Sequence, residues 1–279
     1  AMYHAKRLGG TGYSFFEPSM NADAHEQIEL LHDLRLAQER DQFVLHYQPK
    51  YEAPAGPIIG AEALLRWNHP TRGLVGPDQF IPTAEKTGLI LSIGEWVINE
   101  ACRQMREWIN AGQTHWTIAV NISALQFAHA SLVETVRGAL ARHDVPPSCL
   151  TLEVTESTAM RDAEASLAVL KRLSGLGVTI SIDDFGTGYS SLLYLKRLPA
   201  TELKIDRGFV NQLENDNEDA AIVAAIVALA QQLNLRIVAE GVETAAQQKF
   251  LTGLGCDSLQ GFLLGRPMPA TEFLEHAAN

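Results

Sequence analysis

Hydrophobic positions along the chain switch repeatedly between the strand period and the helix period. Short β-rich runs fall at 42–48, 58–66, 116–121, 150–155, 178–184, 202–205, 235–240 and 256–260. Helical patterns lie between most of them: Val97, Ala101, Met105 and Trp108 recur on one helix face, as do Leu167, Leu170 and Leu173. Strands alternating with helices imply parallel pairing with helical crossovers. Eight strand candidates in one undivided stretch predict a closed TIM-like (β/α)8 barrel, an α/β fold. An open doubly wound sheet would carry a glycine-rich phosphate loop after its first strand, and the sequence has none there. Only residues 51–57 separate the first two strands, enough for a hairpin but not for a crossover. The expected barrel is therefore imperfect, with its first strand antiparallel to the next.

Two segments stand apart from this alternation. Residues 25–39 read as an exposed amphipathic helix, and residues 1–20 lack a strand–helix unit of their own, like a remnant of something upstream. The uncharged run 220–230 reads as a buried helix, with a dimer contact as the alternative.

Parity along the strands picks out a set of polar residues. Side chains two apart on a strand share a face. Leu150, Leu152 and Val154 oppose Thr151, Glu153 and Thr155, while Val178, Ile180 and Ile182 oppose Thr179, Ser181 and Asp183. Trp116, Ile118 and Val120 oppose Asn121, Leu203 and Ile205 oppose Lys204, and Ile237 and Ala239 oppose Glu240. Helices must cover the aliphatic face, so the polar set points into the barrel near the C-terminal strand ends, where barrel proteins build active sites. Glu62 and Arg66 share the inward parity of the second strand, Gln48 that of the first and Gln260 that of the last.

Composition narrows the chemistry. The 33 acidic and 22 basic residues give a formal charge of −11, which argues against a generic duplex-DNA binder. At 46% hydrophobic the chain can bury a substantial core, and the 11-residue run 220–230 is too short to span a bilayer. No signal-peptide pattern opens the sequence, and Cys102, Cys149 and Cys256 lack CxxC spacing, which together suggest reduced, cytoplasmic thiols. One mouth then collects Glu62, Asn121, Glu153, Asp183, Asp184 and Glu240 with Lys204 and Arg66. So many carboxylates cannot all ionise together without countercharge. Oxygen donors without histidine or thiolate favour Mg²⁺ or Mn²⁺, and the adjacent Asp183–Asp184 pair could bridge two ions.

Each residue also has a bland reading. A single inward acid is often wet barrel rim, Lys204 could pair with Asp206, and Arg66 with Glu62. His46, His69 and His115 lack metal spacing and read as surface or rim histidines, and Gly186 and Gly188 could be a plain turn.

Short motifs recur along the strands: Tyr47-Gln48-Pro49, then Glu62-Ala63-Leu64 within Ala61 to Trp67, Asn121-Ile122-Ser123 and Glu153-Val154-Thr155-Glu156. Asp183 to Ser191, Lys204-Ile205-Asp206, Glu240-Gly241-Val242-Glu243 and Gln260-Gly261-Phe262 complete the series. In these motifs, their order and their spacing, over residues 31–276, the chain resembles the EAL domain family of cyclic di-GMP phosphodiesterases, named for the Glu62-Ala63-Leu64 motif. The resemblance implies hydrolysis of cyclic di-GMP to linear pGpG with two Mg²⁺ or Mn²⁺ ions. It implies Glu62, Asn121, Glu153 and Asp183 as ligands of the first ion, Asp183 and Asp184 of the second, and Glu240 nearby. Lys204 would orient or activate the attacking water, and Glu156 would brace the loop 184–191. Gln48, Leu64, Arg66, Glu243 and Gln260 would line the nucleotide or support its surroundings. A non-catalytic cyclic di-GMP receptor is the alternative, although receptors of this family have usually lost ligands that all stand here. The N-terminal Ala1 to Lys6, with Phe15-Phe16, resembles the tail of a GGDEF-type diguanylate cyclase domain. The expected organisation is 1–20 as that remnant and linker and 21–279 as the EAL barrel. The resemblance also implies a homodimer formed by residues 190–198 and 218–233, and leaves membrane anchoring of the full-length protein open.

Overall fold

The computed structural model describes residues 18–187, 192–214 and 216–278. The expected upstream remnant over 1–20 lies almost wholly outside the described residues, as do Gly188, Tyr189, Ser190 and Ser191.

Nine strands form one sheet: β1 (Phe43–Glu52), β2 (Ile58–His69), β3 (Gly73–Val75), β4 (Thr117–Asn121), β5 (Leu150–Thr155), β6 (Thr179–Phe185), β7 (Glu202–Ile205), β8 (Arg236–Ala239) and β9 (Ser258–Leu259). Their order is β1-β9-β8-β7-β6-β5-β4-β2-β3, and β1 also pairs with β2, which closes eight of them into a barrel. β1 runs antiparallel to both neighbours, and the other barrel pairings are parallel. The short link after Glu52 permits only a hairpin, so the antiparallel first strand follows from chain length. β3, missed in the sequence, is a three-residue hairpin partner of β2 outside the ring.

The expected parity holds. Leu150, Leu152, Val154, Ile180, Ile182, Leu203 and Ile237 are buried on the outer face, with Leu167, Leu170 and Leu173 of the helix Ala163–Ser174 in the same core. Burying each such side chain contributes roughly 1.5–3 kcal/mol, which fixes the register that turns the alternate polar residues inward. The lumen is correspondingly polar: Lys50, Glu62, Thr151, Glu153, Ser181, Asp183, Glu202, Lys204, Ser258 and Gln260 are all buried.

Three expectations need correction. The helix at the start runs Pro18–Ala37 and is not simply exposed, because Leu30, Leu34 and Ala37 form a one-sided stripe that is buried. His69 is no surface histidine: it is buried, and its Nε2 lies 3.2 Å from Asp33 Oδ2 on that helix. The run 220–230 lies in the helix Asn217–Gln232, which buries only Val223, Ile226, Val227 and Ala230 and leaves Ile222 exposed.

Candidate active site

Lys204 is the centre of the upper lumen. It is 1% exposed, and its Nζ lies 2.5 Å from Glu240 Oε1, 2.7 Å from Glu153 Oε2, 3.4 Å from Asp183 Oδ2 and 3.6 Å from Glu62 Oε2. Lys204 therefore does not pair with Asp206, whose carboxylate instead accepts from Gly208 N–H and caps the helix Arg207–Gln212. Glu62 is held on both oxygens: Asn121 Nδ2 donates to one at 2.7 Å and Gln260 Nε2 to the other at 2.7 Å. Gln260 Nε2 also donates to Gln48 Oε1 at 3.1 Å, and Gln48 Nε2 donates to the Gly265 carbonyl.

Asp183 and Asp184 are consecutive, so a regular strand would send them to opposite faces. The β6–β7 register shifts between Ile182 and Phe185, and Asp184 takes φ +54°, so both acids reach the cavity. Left-handed backbone costs roughly 1–2 kcal/mol for most residues and is best tolerated by Asn and Asp. The strand's end is tied by Glu156, the first residue of the helix Glu156–Met160, whose Oε2 accepts from Gly186 N–H at 2.9 Å. Gly186 has φ +99°, and a Cβ there would come within 3.0 Å of Ile226 and Phe209. Glu156 is buried, and its bond to the end of β6 goes to backbone.

Above this floor opens a cavity of about 660 Å³, within the size range of small-molecule sites. Gln48, Glu62, Leu64, Arg66, Asn121, Asp183, Asp184, Glu240, Glu243 and Gln260 all line it. Arg66 does not clamp Glu62; its Nη1 donates to the Leu65 carbonyl. Glu243 stands exposed on the rim. The wall also includes Asp78, Asp206, Arg207, Asn211 and Phe262, which sequence reasoning did not place in the site. Asp206 shares the inward parity of Lys204 and could have been found that way. Asp78 lies in the helix Pro77–Thr87, and Arg207 and Asn211 in the helix Arg207–Gln212, where strand parity carries no signal.

Electrostatics set the mouth under tension. Burial alone would depress Lys204, but Asp183, Glu153, Glu240 and Glu62 hold its ammonium well above the usual range. Burial, with Glu62 adding to it, pushes Glu153 well up. Burial takes Glu240 up to about 8 despite Lys204, and burial with Asp183 and Asp206 takes Asp184 up to about 6. Glu62 is held low, since Lys204, Gln260 and Asn121 outweigh its burial.

Five carboxylates, Glu62, Glu153, Asp183, Asp184 and Glu240, thus gather at one ammonium, and two carboxamides, Asn121 and Gln260, serve only Glu62 among them. Among the described residues no three His, Cys, Asp or Glu side chains stand at metal-holding spacing, and the acids of the mouth surround Lys204. The donor chemistry nonetheless fits a hard divalent cation: all donors are oxygens, and the net negative charge lacks compensation.

A mixed eight-stranded barrel with an acidic, lysine-centred mouth defines a TIM-like α/β barrel. The EAL domain family profile matches residues 31–267, and the chain belongs to that family. It is 71% identical over 278 residues to the bifunctional diguanylate cyclase/cyclic di-GMP phosphodiesterase MucR of Pseudomonas aeruginosa, covering 100% of this chain and 41% of that protein. The cyclic di-GMP phosphodiesterase NbdA of the same organism is 44% identical over 269 residues, covering 96% of this chain and 34% of that protein. The chain thus spans well under half the length of these relatives. Among solved structures, the PaMucR phosphodiesterase in complex with c-di-GMP matches with a TM-score of 0.87 and 72% identity, over 88% of this chain and 99% of that one. The EAL domain of Xanthomonas citri FimX, also in complex with c-diGMP, matches with a TM-score of 0.80 and 27% identity, over 89% of this chain and 97% of that one.

Proposed function

We propose that this chain hydrolyses cyclic di-GMP to linear pGpG, water adding at one phosphorus as one P–O bond opens. The observation that carries the reading is Lys204 inside a ring of oxygen donors at the floor of the cavity. Two Mg²⁺ or Mn²⁺ ions would be held by Glu62, Asn121, Glu153 and Asp183 on one side and Asp183 and Asp184 on the other, with Glu240 close by. When bound, such ions supply Lewis-acid chemistry and offset phosphate charge. Lys204 holds the attacking water and stabilises the negative charge that develops at phosphorus. Gln48, Leu64, Arg66, Glu243 and Gln260 bind the dinucleotide, Arg66 being a wall cation suited to phosphate. Glu156 keeps Asp183 and Asp184 in place through Gly186.

The same reading covers assembly and context. Leu193 is 77% exposed on the helix Leu192–Leu195 and Ile222 40% on the helix Asn217–Gln232, which supports a two-fold homodimer through residues 190–198 and 218–233. An upstream GGDEF-type domain is proposed for the full-length protein, in line with the diguanylate cyclase activity that the name of its relative MucR carries. Among the described residues no helix is long and apolar enough to cross a membrane, and the three cysteines are free and buried, in keeping with a cytoplasmic setting.

The test is incubation with cyclic di-GMP and Mg²⁺, with and without chelator, followed by product analysis. Linear pGpG formed only without chelator is expected. Tight binding with no product in either Mg²⁺ or Mn²⁺ would point to a receptor instead.

A further inference from the structure

Two residues below the mouth, the lumen holds a second buried charge pair. Lys50 Nζ lies 3.2 Å from Glu202 Oε1 and 3.3 Å from Oε2, and neither side chain is more than 5% exposed. We infer that Lys50 and Glu202 are positioning residues for the reaction, fixing the heights of Lys204 and Gln48 in the mouth; the inference rests on the hydrolytic reading above.

The topology carries the argument. β1 and β7 share no hydrogen bonds, since β9 and β8 stand between them in the ring, so the ion pair is a side-chain tie across the lumen. β1 runs antiparallel to β9 while β7 runs parallel to β8 and β8 to β9. Stepping back from Lys50 to Gln48 and forward from Glu202 to Lys204 therefore both climb towards the mouth. Each step keeps the inward face and rises roughly 6.5 Å. One tie thus sets two site residues at once.

Lys204 needs such support. β7 is four residues long, and its pairing with β6 joins Ser181 to Glu202, Ile182 to Leu203 and Phe185 to Ile205, leaving Lys204 without a partner on that side. Glu202, two residues below, is the last inward-facing β7 residue before Lys204 and is paired with Ser181. At the other end of the tie, Gln48 accepts from Gln260 Nε2, which also donates to Glu62, so the height of β1 reaches the acid that flanks Lys204. Stability alone does not demand this pair, because an apolar pair of similar volume serves a buried layer as well or better.

That last point supplies the test: Lys50→Met/Glu202→Leu, compared with wild type and with Lys50→Arg, in full turnover kinetics on cyclic di-GMP with Mg²⁺ and in thermal unfolding. The double variant should keep its Tm to within about 4 °C. It should lose about tenfold or more in kcat, as a small misplacement of Lys204 would cause, with KM within about threefold. Lys50→Arg, which keeps the charge, should restore most of kcat. A folded double variant with wild-type kcat overturns the inference while leaving the hydrolytic reading intact. An inactive wild-type chain overturns both. If the double variant does not fold, the near-isosteric Glu202→Gln decides instead: a kcat loss of about threefold or more at unchanged KM supports the tie, and unchanged kcat overturns it.

Discussion

Inside the barrel, Lys50 and Glu202 sit together as one cation and one anion, with Arg236 3.8 Å from the same carboxylate at the rim. One layer higher, Lys204 faces Glu153, Glu240, Asp183 and Glu62, with Asp184 beyond. Both layers are buried, and both are built from inward-facing strand residues. The difference is balance. A matched pair in low dielectric is self-sufficient and holds geometry. A lysine outnumbered by carboxylates leaves charge that only protons or external cations can answer. Neutral Lys204 or ionised neighbours throughout would be the costliest states, and the pKa directions avoid them: Lys204 is held protonated while Glu153, Glu240 and Asp184 are pushed up.

The largest contrast should come from removing each lysine. Lys204→Met is expected to lower turnover by about three orders of magnitude, since groups that act together fail together. It should also lower Tm, and Mg²⁺ should restore part of that loss by answering the freed acids. Lys50→Met leaves Glu202 with only the half-exposed Arg236 at 3.8 Å, a loss of up to roughly 3–5 kcal/mol for a broken buried ion pair, and Mg²⁺ should not restore it. Unfolding curves with and without Mg²⁺ measure both; equal rescue of the two variants would erase the distinction between the layers.

Glu156→Ala should act more mildly. The lost bond to Gly186 N–H loosens the end of β6, so turnover falls by about ten- to a hundredfold and the Mg²⁺ concentration for half-maximal rate rises. A variant with normal rate and normal Mg²⁺ dependence would show that the loop holds itself.

The layers should also respond to pH with opposite sign. Glu202 is buried, yet Lys50 and Arg236 hold it below the usual 4.5, so its stabilisation is present above the unfolded value and lost as pH falls through the folded one. Glu240 and Asp184 are raised to about 8 and about 6, so in the folded chain they bind protons that the unfolded chain has released. Without divalent cations, stability should therefore decline as pH rises from about 4 to about 8. Added Mg²⁺ should flatten that decline. Denaturant midpoints across this range provide the reading, and a metal-free midpoint that rises towards pH 8 would be inconsistent with an overcharged mouth.

The smallest effect concerns assembly. For the proposed homodimer, Ile222→Glu at an exposed position of its helix should halve or more the fraction of dimer seen by sedimentation while shifting Tm by only about a degree or two. Unchanged association would place the contact elsewhere.

Much of this was legible in the sequence, for a definite reason. Where aliphatic residues alternate cleanly, as in β5, the outward face is forced and Glu153 must point inward; the same holds for Asp183 and Lys204. The hairpin of β1 followed from its short link. What parity could not supply was anything that breaks the strand or crosses the lumen. Asp184 reaches the cavity only through a left-handed backbone at a register shift. Glu202 meets a lysine 152 positions away. His69 finds Asp33 on a helix whose docking depends on tertiary contact. Asp78, Arg207 and Asn211 arrive on helix ends or helices brought over the mouth.

The most direct measurement is thermal stability at roughly pH 8 against increasing Mg²⁺ or Mn²⁺, where saturable binding to the folded chain raises Tm as the logarithm of ligand concentration. Wild type and Lys50→Met/Glu202→Leu should both show the rise, because the oxygen donors of the mouth are intact in each. Glu62→Gln/Asp183→Asn should lose it. A wild-type chain that shows no rise, or the same rise in the Glu62→Gln/Asp183→Asn variant, would contradict a mouth whose excess charge serves to bind cations.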